Sequence, residues 1–520
     1  VGSNARPLSF CAATAHQAAT MSADRLNQAW TALAKGDQPR AEHLFAELLR
    51  EAAVHPLALV GMGSLLRQQG RLRDAILHCD AAIRADPRCS EAWLERAFIF
   101  NAGGSFPAAA DCYRQVLTLE PDNAQAHAGL AGLAARDGDP DRAHLHGEAA
   151  LAAEPGNALA ATALAVVELE AGNAAAARDL LGPLATTPGR PSPERIQLLT
   201  TYGDALARCG DADTAYAAYS AAQAAYTALH EPPPGTRETH RDLIQRIKAE
   251  VSCAPHAAWR QPAPPAPPEA AARHVFLLGY PRSGTTLVEN VLASLPAVSA
   301  LEERPTLVES DRAFLAEPGG ITRLAGLPPA DLADHVRAYW DKVRAAGIEP
   351  AGQTFVDMDP LKATRLPLIA RLFPQARILI MRRDPRDVVL SCFRTSFALT
   401  SAALEFTSLE RAVRHYAAMM ELIEVARSCL PLAFHEVDYH ALVRDFDGTT
   451  RQLCAFLDLP WDASLRRFDQ TARDRGVATA SASQVRRGLY DGRGQWEPFA
   501  RHFEPVLPIL QPWIEKLGYA

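Results

Sequence analysis

His274-Val-Phe-Leu-Leu-Gly-Tyr-Pro-Arg-Ser-Gly-Thr-Thr-Leu287 opens on an apolar run, passes through a glycine-bracketed turn and continues into an amphipathic stretch that ends near Pro296. The opening residues read as a buried strand, and the continuation reads as a loop that starts a helix. A strand feeding a helix in this way leaves free backbone N–H groups and the positive end of the helix dipole at one point, which makes an anion cradle. Ser283, Thr285 and Thr286 add hydroxyl donors there, Arg282 adds charge, and Gly284 is the second bracketing glycine.

The spacing G-x-x-x-x-G-T-T is that of a P-loop with threonine where an NTPase needs lysine on its β- and γ-phosphates. A ligand with one phosphate ester joined to a sulfuryl group carries less charge and can do without that lysine and without magnesium. The loop by itself also fits a plain phosphate-binding turn. About a hundred residues on, Ala376-Arg-Ile-Leu-Ile-Met381 reads as a second strand, followed by Arg382-Arg-Asp-Pro-Arg-Asp-Val-Val-Leu-Ser391 as loop and helix. Asp384 suits the N-cap and Pro385 the first helical position. Arg383 and Ser391 are then expected to flank the start of this helix, where a cation and a hydroxyl hold an isolated phosphate. The competing expectation is that Arg382, Arg383 and Arg386 pair with Asp384 and Asp387 on a surface.

Upstream, the chain repeats itself. Gly36, Gly70, Gly104, Gly138 and Gly172 fall 34 residues apart, and alanine follows each five residues later, at Ala41, Ala75, Ala109, Ala143 and Ala177. Asp86-Pro87, Glu120-Pro121 and Glu154-Pro155 keep the same period; a further Gly210 and Ala215 come after a spacing of 38, as a slipped or terminal unit. Glycine permits the tight turn between two helices, the small alanine lets them approach, and proline separates the units. Period and placement resemble the tetratricopeptide repeat over roughly residues 22–230, which implies an all-α superhelix. The segment Gln261-Pro-Ala-Pro-Pro-Ala-Pro-Pro-Glu269 is expected to be a semi-rigid extended linker. The expected organisation is a disordered N-terminal arm over 1–21, helical repeats over 22–251, the proline-rich linker over 252–272, and an α/β domain with a mainly parallel sheet over 273–520.

Composition narrows the setting. The first 250 residues hold 22 Lys+Arg against 29 Asp+Glu and the remainder 31 of each, so the formal charge of −7 sits in the repeats. An acidic array argues against bulk nucleic-acid binding, which needs a basic face. Nine cysteines show no C-x-x-C pair and no metal-ligand spacing, which argues against a disulfide framework or a zinc site and for a reducing cytoplasm. No apolar run reaches the ~18 residues a membrane span requires.

With these two constellations, residues 273–520 resemble the sulfotransferases that use 3′-phosphoadenosine 5′-phosphosulfate (PAPS), particularly the branch of protein-tyrosine sulfotransferases and bacterial repeat-fused relatives. The resemblance implies PAPS as co-substrate without a metal, with Arg282, Ser283, Gly284, Thr285 and Thr286 on its 5′-phosphosulfate, Arg383 and Ser391 on its 3′-phosphate, and Tyr439 near the adenosine. Ser481, in Ser481-Ala-Ser-Gln-Val-Arg486, matches a serine near the transferring sulfate. Glu303, in Ser299-Ala-Leu-Glu-Glu-Arg-Pro305, falls on the catalytic glutamate, with Glu302 its one-residue alternative. Two positions depart from the pattern. Met358 stands where relatives carry a lysine near the leaving phosphate, with Lys362 one turn on as a candidate substitute. Gln495 stands where a basic residue often precedes Trp496, with Arg487 or Arg493 to compensate.

The expected function is transfer of a sulfuryl group to an acceptor hydroxyl, a protein tyrosine among the candidates, with the repeats recruiting a protein or peptide partner. A catalytically inactive repeat scaffold that binds nucleotide is the alternative, followed by a P-loop kinase or NTPase.

Overall fold

The computed structural model describes residues 9–51, 55–232, 235–475, 482–486 and 488–520. Two compact units divide the chain, one of Val1–Gly189 with Asp204–Cys209, the other of Arg190–Gly203 with Gly210–Ala520.

The first unit is built of antiparallel helix pairs, among them Pro56–Gln68 with Leu72–Ala85, Ser90–Ala102 with Phe106–Leu119, Ala124–Asp137 with Pro140–Ala153, and Ala158–Glu170 with Ala174–Thr186. The periodic glycines turn the chain between partners with φ of +74° to +87°, a left-handed conformation that glycine adopts at no steric cost. The periodic alanines are fully buried at the helix crossings. Close approach is visible at Gly129, where an added Cβ would lie 2.3 Å from the Tyr113 ring. The first helix, Ser9–Ala34, begins inside the stretch expected to form a disordered arm. The slipped sixth spacing has a local cause: the residues between Thr186 and Pro193 include Pro188, Gly189, Pro191 and Ser192, and they form no helix.

The units do not part at the proline-rich segment. The last helices of the repeat region, Ala212–His230 and His240–Cys253, belong to the C-terminal unit. Tyr216 and Tyr219 set their rings against Phe393, Gln223 Nε2 donates to Phe393 O at 2.6 Å, and His240 Nδ1 meets His415 Nε2 at 2.7 Å. Rings and amides that serve as ordinary repeat positions by period are here the docking surface of an α/β domain. The segment 261–267 has no regular structure, and its Ala263, Pro264 and Ala266 wall a cavity of about 310 Å³ with Trp340 and Phe373.

Five parallel strands form the domain's sheet in the order β2-β3-β1-β4-β5: β1 Arg273–Leu278, β2 Val298–Glu302, β3 Thr354–Met358, β4 Arg377–Arg382 and β5 Ala433–Asp438. Strand β1 is central, pairing β3 on one side and β4 on the other. Its Val275, Phe276, Leu277 and Leu278 are buried, as a parallel sheet covered on both faces demands. Because strand order reverses about β1, a crevice opens at the carboxyl ends of β1 and β4, which is where ligands bind in open α/β sheets.

Candidate functional site

Both sequence constellations reach that crevice. After β1 the chain turns through Arg282 (φ +70°) and Gly284 (φ +107°) into the helix Thr285–Ala293. Gly284 is required twice over, since its φ suits no L side chain and a Cβ would stand 2.8 Å from Tyr439 and 3.3 Å from Met381. Ser283, Thr285 and Thr286 are buried in the cradle. Ser283 Oγ has no hydrogen-bond partner among the described residues, a rare state for a buried hydroxyl that fits a cradle made for an acceptor-rich anion.

From the other side, β4 delivers Arg382, Arg383 and Asp384 to the helix Pro385–Phe393. Asp384 caps it by accepting from Arg386 N at 2.9 Å, with Pro385 in the first turn. Arg386 pairs with Asp384 at 2.7 Å and Arg383 lies 4.0 Å from Asp387, as the competing expectation had it, but both carboxylates are buried and not on a surface, and Arg382 pairs instead with Glu436 at 2.9 Å. Arg383 makes further contacts. It donates to Arg282 O at 3.1 Å and to Gly492 O, lies 4.9 Å from the Tyr439 ring centre, and keeps its buried Nε without a partner among the described residues. Ser391 lies in the last turn of this helix and not at its start; its hydroxyl accepts from Arg282 Nε at 3.0 Å because the anion loop folds back across the helix. The two constellations are thus bonded to each other, through Arg282–Ser391 and through Arg383 with the Arg282 carbonyl.

Tyr439, which opens the helix Tyr439–Arg444 directly after β5, is buried against Gly284 and donates to Tyr490 O; burial pushes its phenol above the ordinary value, ahead of the opposing pull of Arg383. Gln484 accepts from Arg282 at 3.4 Å. With Val485, Gly488 and Tyr490 these residues line a cleft of about 40 Å³. Sequence reading missed this cover. It also missed Asp387, which accepts from Gly494 N at 3.1 Å and Trp496 N at 3.0 Å and so pins the covering loop to the Pro385–Phe393 helix. The triplet Gly488, Gly492 and Gly494 was the available signal: a Cβ at Gly492 would stand 2.8 Å from the Arg383 guanidinium.

Glu303 follows β2 in the left-handed region, φ +45°, with its N–H donating to Met358 O at 2.7 Å. The residue keeps solvent-exposed surface yet is crowded on its flanks. Burial first, then Asp359 and Glu302, push its carboxyl up to about 7, against the pull of Lys362 and Arg282. A carboxyl titrating near neutrality is suited to taking a proton.

The departures resolve unevenly. Met358 is fully buried in the apolar core with Val275, Leu379 and Met381. Lys362 lies in the 3₁₀ turn Pro360–Arg365, buried against Asp357. Arg493 pairs with Asp491 at 2.6 Å on the surface. At Gln495 the cation comes from an unforeseen residue: Arg394 donates to Gln495 Oε1, while Gln495 Nε2 donates to Tyr490 OH at 2.8 Å. Ser481 and Arg487 lie outside the described residues. Among the described residues no three His, Cys, Asp or Glu side chains gather as a metal site would require, and no helix is long and apolar enough to cross a membrane.

Residues 274–463 match the model of the sulfotransferase family, and residues 26–88, 60–111 and 94–147 match that of the tetratricopeptide repeat. The chain is similar to an uncharacterised protein of Aquifex aeolicus (strain VF5), 27% identical over 260 residues that make up 47% of this chain and 33% of that protein. It is also similar to protein-tyrosine sulfotransferase 1 of Danio rerio, 27% identical over 47% of this chain and 72% of the relative, and of Mus musculus, 28% identical over 47% and 69%. A solved sulfotransferase domain, that of the Synechococcus PCC 7002 olefin synthase, matches with a TM-score of 0.31 and 22% identity over 43% of this chain and 86% of that one. The aligned part thus spans a third of the first relative and about seven tenths of the vertebrate ones. The strand-loop-helix cradle and the arginine-led helix facing it therefore lie within the residues that match the sulfotransferase family model, behind a stretch that matches the tetratricopeptide repeat.

Proposed function

We propose that the protein transfers a sulfuryl group from PAPS to an acceptor hydroxyl. The observation that carries this reading is the meeting of Arg282, Ser391, Arg383 and Tyr439 at one cleft, with the Ser283 hydroxyl and the Arg383 Nε buried there without partners among the described residues. PAPS, when bound, supplies the sulfuryl group and departs as adenosine 3′,5′-bisphosphate. The loop amides, Ser283, Thr285, Thr286 and Arg282 hold the 5′ anion and stabilise charge on the departing oxygen. Arg383 and Ser391 hold the 3′-phosphate, and Tyr439 packs beside the adenosine. Glu303 takes the proton of the acceptor hydroxyl as attack begins. Ser481 stands by the transferring group in this reading. A nucleotide needs a pocket of roughly 300 Å³ or more, so the cleft of about 40 Å³ widens when the donor enters.

A tyrosyl side chain is the acceptor favoured by the named relatives, and the repeats are the surface that recruits the protein bearing it. Eight cysteines are free among the described residues, which suits a reducing cytoplasm. Calorimetric titration with adenosine 3′,5′-bisphosphate, and separately with ATP and magnesium, tests the donor assignment. Binding of the bisphosphate alone is expected; preference for ATP with magnesium overturns it. Bisphosphate binding without turnover on any tyrosyl, sugar or phenolic acceptor leaves the inactive-scaffold reading, for which the buried Met358 is the supporting observation.

A further inference from the structure

The turn that carries Glu303 is fastened from beneath by groups that take no part in holding the donor. Strand β3 alternates its side chains, so Met358 enters the apolar core while Asp357, fully buried, points to the opposite face. There Asp357 Oδ2 accepts from Thr306 Oγ1 and from Tyr339 OH, each at 2.8 Å, and its Oδ1 accepts from Lys362 Nζ. Lys362 Nζ also donates to Arg304 O and to Thr306 Oγ1, both at 3.3 Å. Arg304 and Thr306 lie one and three residues beyond Glu303, and Thr306 N donates to Arg304 O at 2.8 Å to close the turn.

An ammonium has three N–H donors, and these three oxygens use them all. Lys362 is therefore committed inside the domain and is not free to stand in for the lysine that Met358 lacks at the leaving phosphate. Its charge nonetheless lies under the Glu303 turn, and that turn holds a non-glycine residue at positive φ, a conformation that persists only where its surroundings enforce it.

We infer that Lys362, locked to Asp357, is a positioning residue for the transfer reaction, fixing the 303–306 turn and acting on the Glu303 carboxylate through its charge. The inference rests on Glu303 as the base. The charged groups facing Glu303 are Glu302 from β2, Asp359 from the end of β3, Lys362 from the 3₁₀ turn and Arg282 from the anion loop; the two carboxylates favour its protonated form and the two cations oppose them. Removing Lys362 leaves the carboxylates the stronger influence, so the base holds its proton to higher pH.

Lys362→Met alone strands a buried carboxylate and risks unfolding, so the test uses the full chain with Asp357→Asn and Lys362→Met together, which removes both charges and keeps an acceptor for Thr306 and Tyr339. Two readouts apply: the acid limb of kcat/KM for sulfuryl transfer to a tyrosyl peptide, and ¹³C NMR titration of the glutamate carboxyl whose signal vanishes in Glu303→Gln. Both midpoints are expected to rise, by less than the ~1 pH unit that loss of a lone opposite charge brings at its lower end, because the Asp357 charge leaves with that of Lys362, with adenosine 3′,5′-bisphosphate affinity within about twofold of wild type, well short of the tenfold that losing one good contact brings. Thr306→Val, which loosens the turn and leaves the charge, is expected to lower kcat with the midpoint unmoved. An unmoved carboxyl midpoint in the double variant overturns the inference, even if turnover falls uniformly at every pH. Full turnover by Glu303→Gln overturns the base reading instead, and the NMR titration still decides whether Lys362 acts on that carboxylate.

Discussion

On the proposed reading, Arg383→Ala separates recognition of the 3′-phosphate from everything else the donor site does. In the free protein Arg383 is 9% exposed, donates to Arg282 O and Gly492 O, lies 4.0 Å from Asp387, and has its Nε–H unused among the described residues. Truncation therefore costs the protein two hydrogen bonds to carbonyls, ~0.5–1.5 kcal/mol each, whichever ligand is present. A bond from a guanidinium to phosphate contributes ~1.5–3 kcal/mol, and at 1.4 kcal/mol per tenfold its loss weakens PAPS by about 10- to 150-fold. Adenosine 5′-phosphosulfate, which lacks the 3′-phosphate, experiences only the first cost. Calorimetric Kd values for both ligands on wild type and variant give the ratio directly: PAPS weakened at least about tenfold more than the analogue, with Arg383→Lys intermediate because it keeps the charge and loses the planar fork. Equal weakening of the two ligands would show that Arg383 merely braces the anion loop.

Glu303→Gln keeps size and hydrogen bonding while removing basicity, so turnover is expected to fall at least ~10²-fold with bisphosphate affinity unchanged; full activity there together with a dead Glu302→Gln moves the role by one residue. In the wild type, turnover should rise with pH through about 7 as Glu303 loses its proton, and a flat profile between pH 6 and 8 counts against it. Gly284→Ala forces a side chain into φ +107° and onto Tyr439, and a calorimetric trace showing undiminished bisphosphate binding would contradict the cradle geometry. His240 is held down to about 4 by burial and His415 well below its ordinary value, so both are neutral when folded while the unfolded chain takes protons near ~6.5. Stability is then lost as pH falls from about 6.5 towards 4, and melting curves should show His240→Gln less acid-sensitive than wild type. A chain cut to 273–520 discards the fully buried Trp259 and the partners of Phe393 and His415, so it should melt well below one cut to 190–520; equal melting temperatures would put the domain edge back at the proline-rich segment.

What the sequence discloses is what steric necessity writes into it. The periodic glycines and alanines are legible because a left-handed turn and a helix crossing each admit few residues, and the anion loop is legible because strand, bracketing glycines and hydroxyls fall in one contiguous run. Contacts chosen from many equivalents leave no such trace. Tyr216 and Tyr219 occupy ordinary repeat positions, and nothing local tells that their rings meet Phe393. Asp387 looks like a surface partner for arginine; it does lie 4.0 Å from Arg383, but buried, and the fold also brings Gly494 and Trp496 to it. Lys362 is an exposed-looking cation in sequence and a buried one in the fold, because its counterion Asp357 lies on the strand face that alternation turns away from Met358.

That alternation also explains why a site lacking the expected lysine is still built for anions. The side chain at position 358 belongs to the core cluster beneath the anion loop, so a methionine there adds apolar packing where a lysine would have to thread its ammonium past Met381 towards the crevice. The positive potential is supplied by other means: two helix N-termini aimed at one crevice, each equivalent to about half a charge, with Arg282 and Arg383 bonded across the gap between them. Fixed dipoles and a braced guanidinium need little reorganisation as charge develops on a departing oxygen, whereas a mobile ammonium must be brought to it. The lysine this chain does carry nearby is sunk under the opposite edge of the site, where its charge bears on Glu303, the proposed base. Donor and acceptor sides thus draw on separate cations, and substitutions at Arg383 and Lys362 should combine additively in the free energy of activation, as independent sites do.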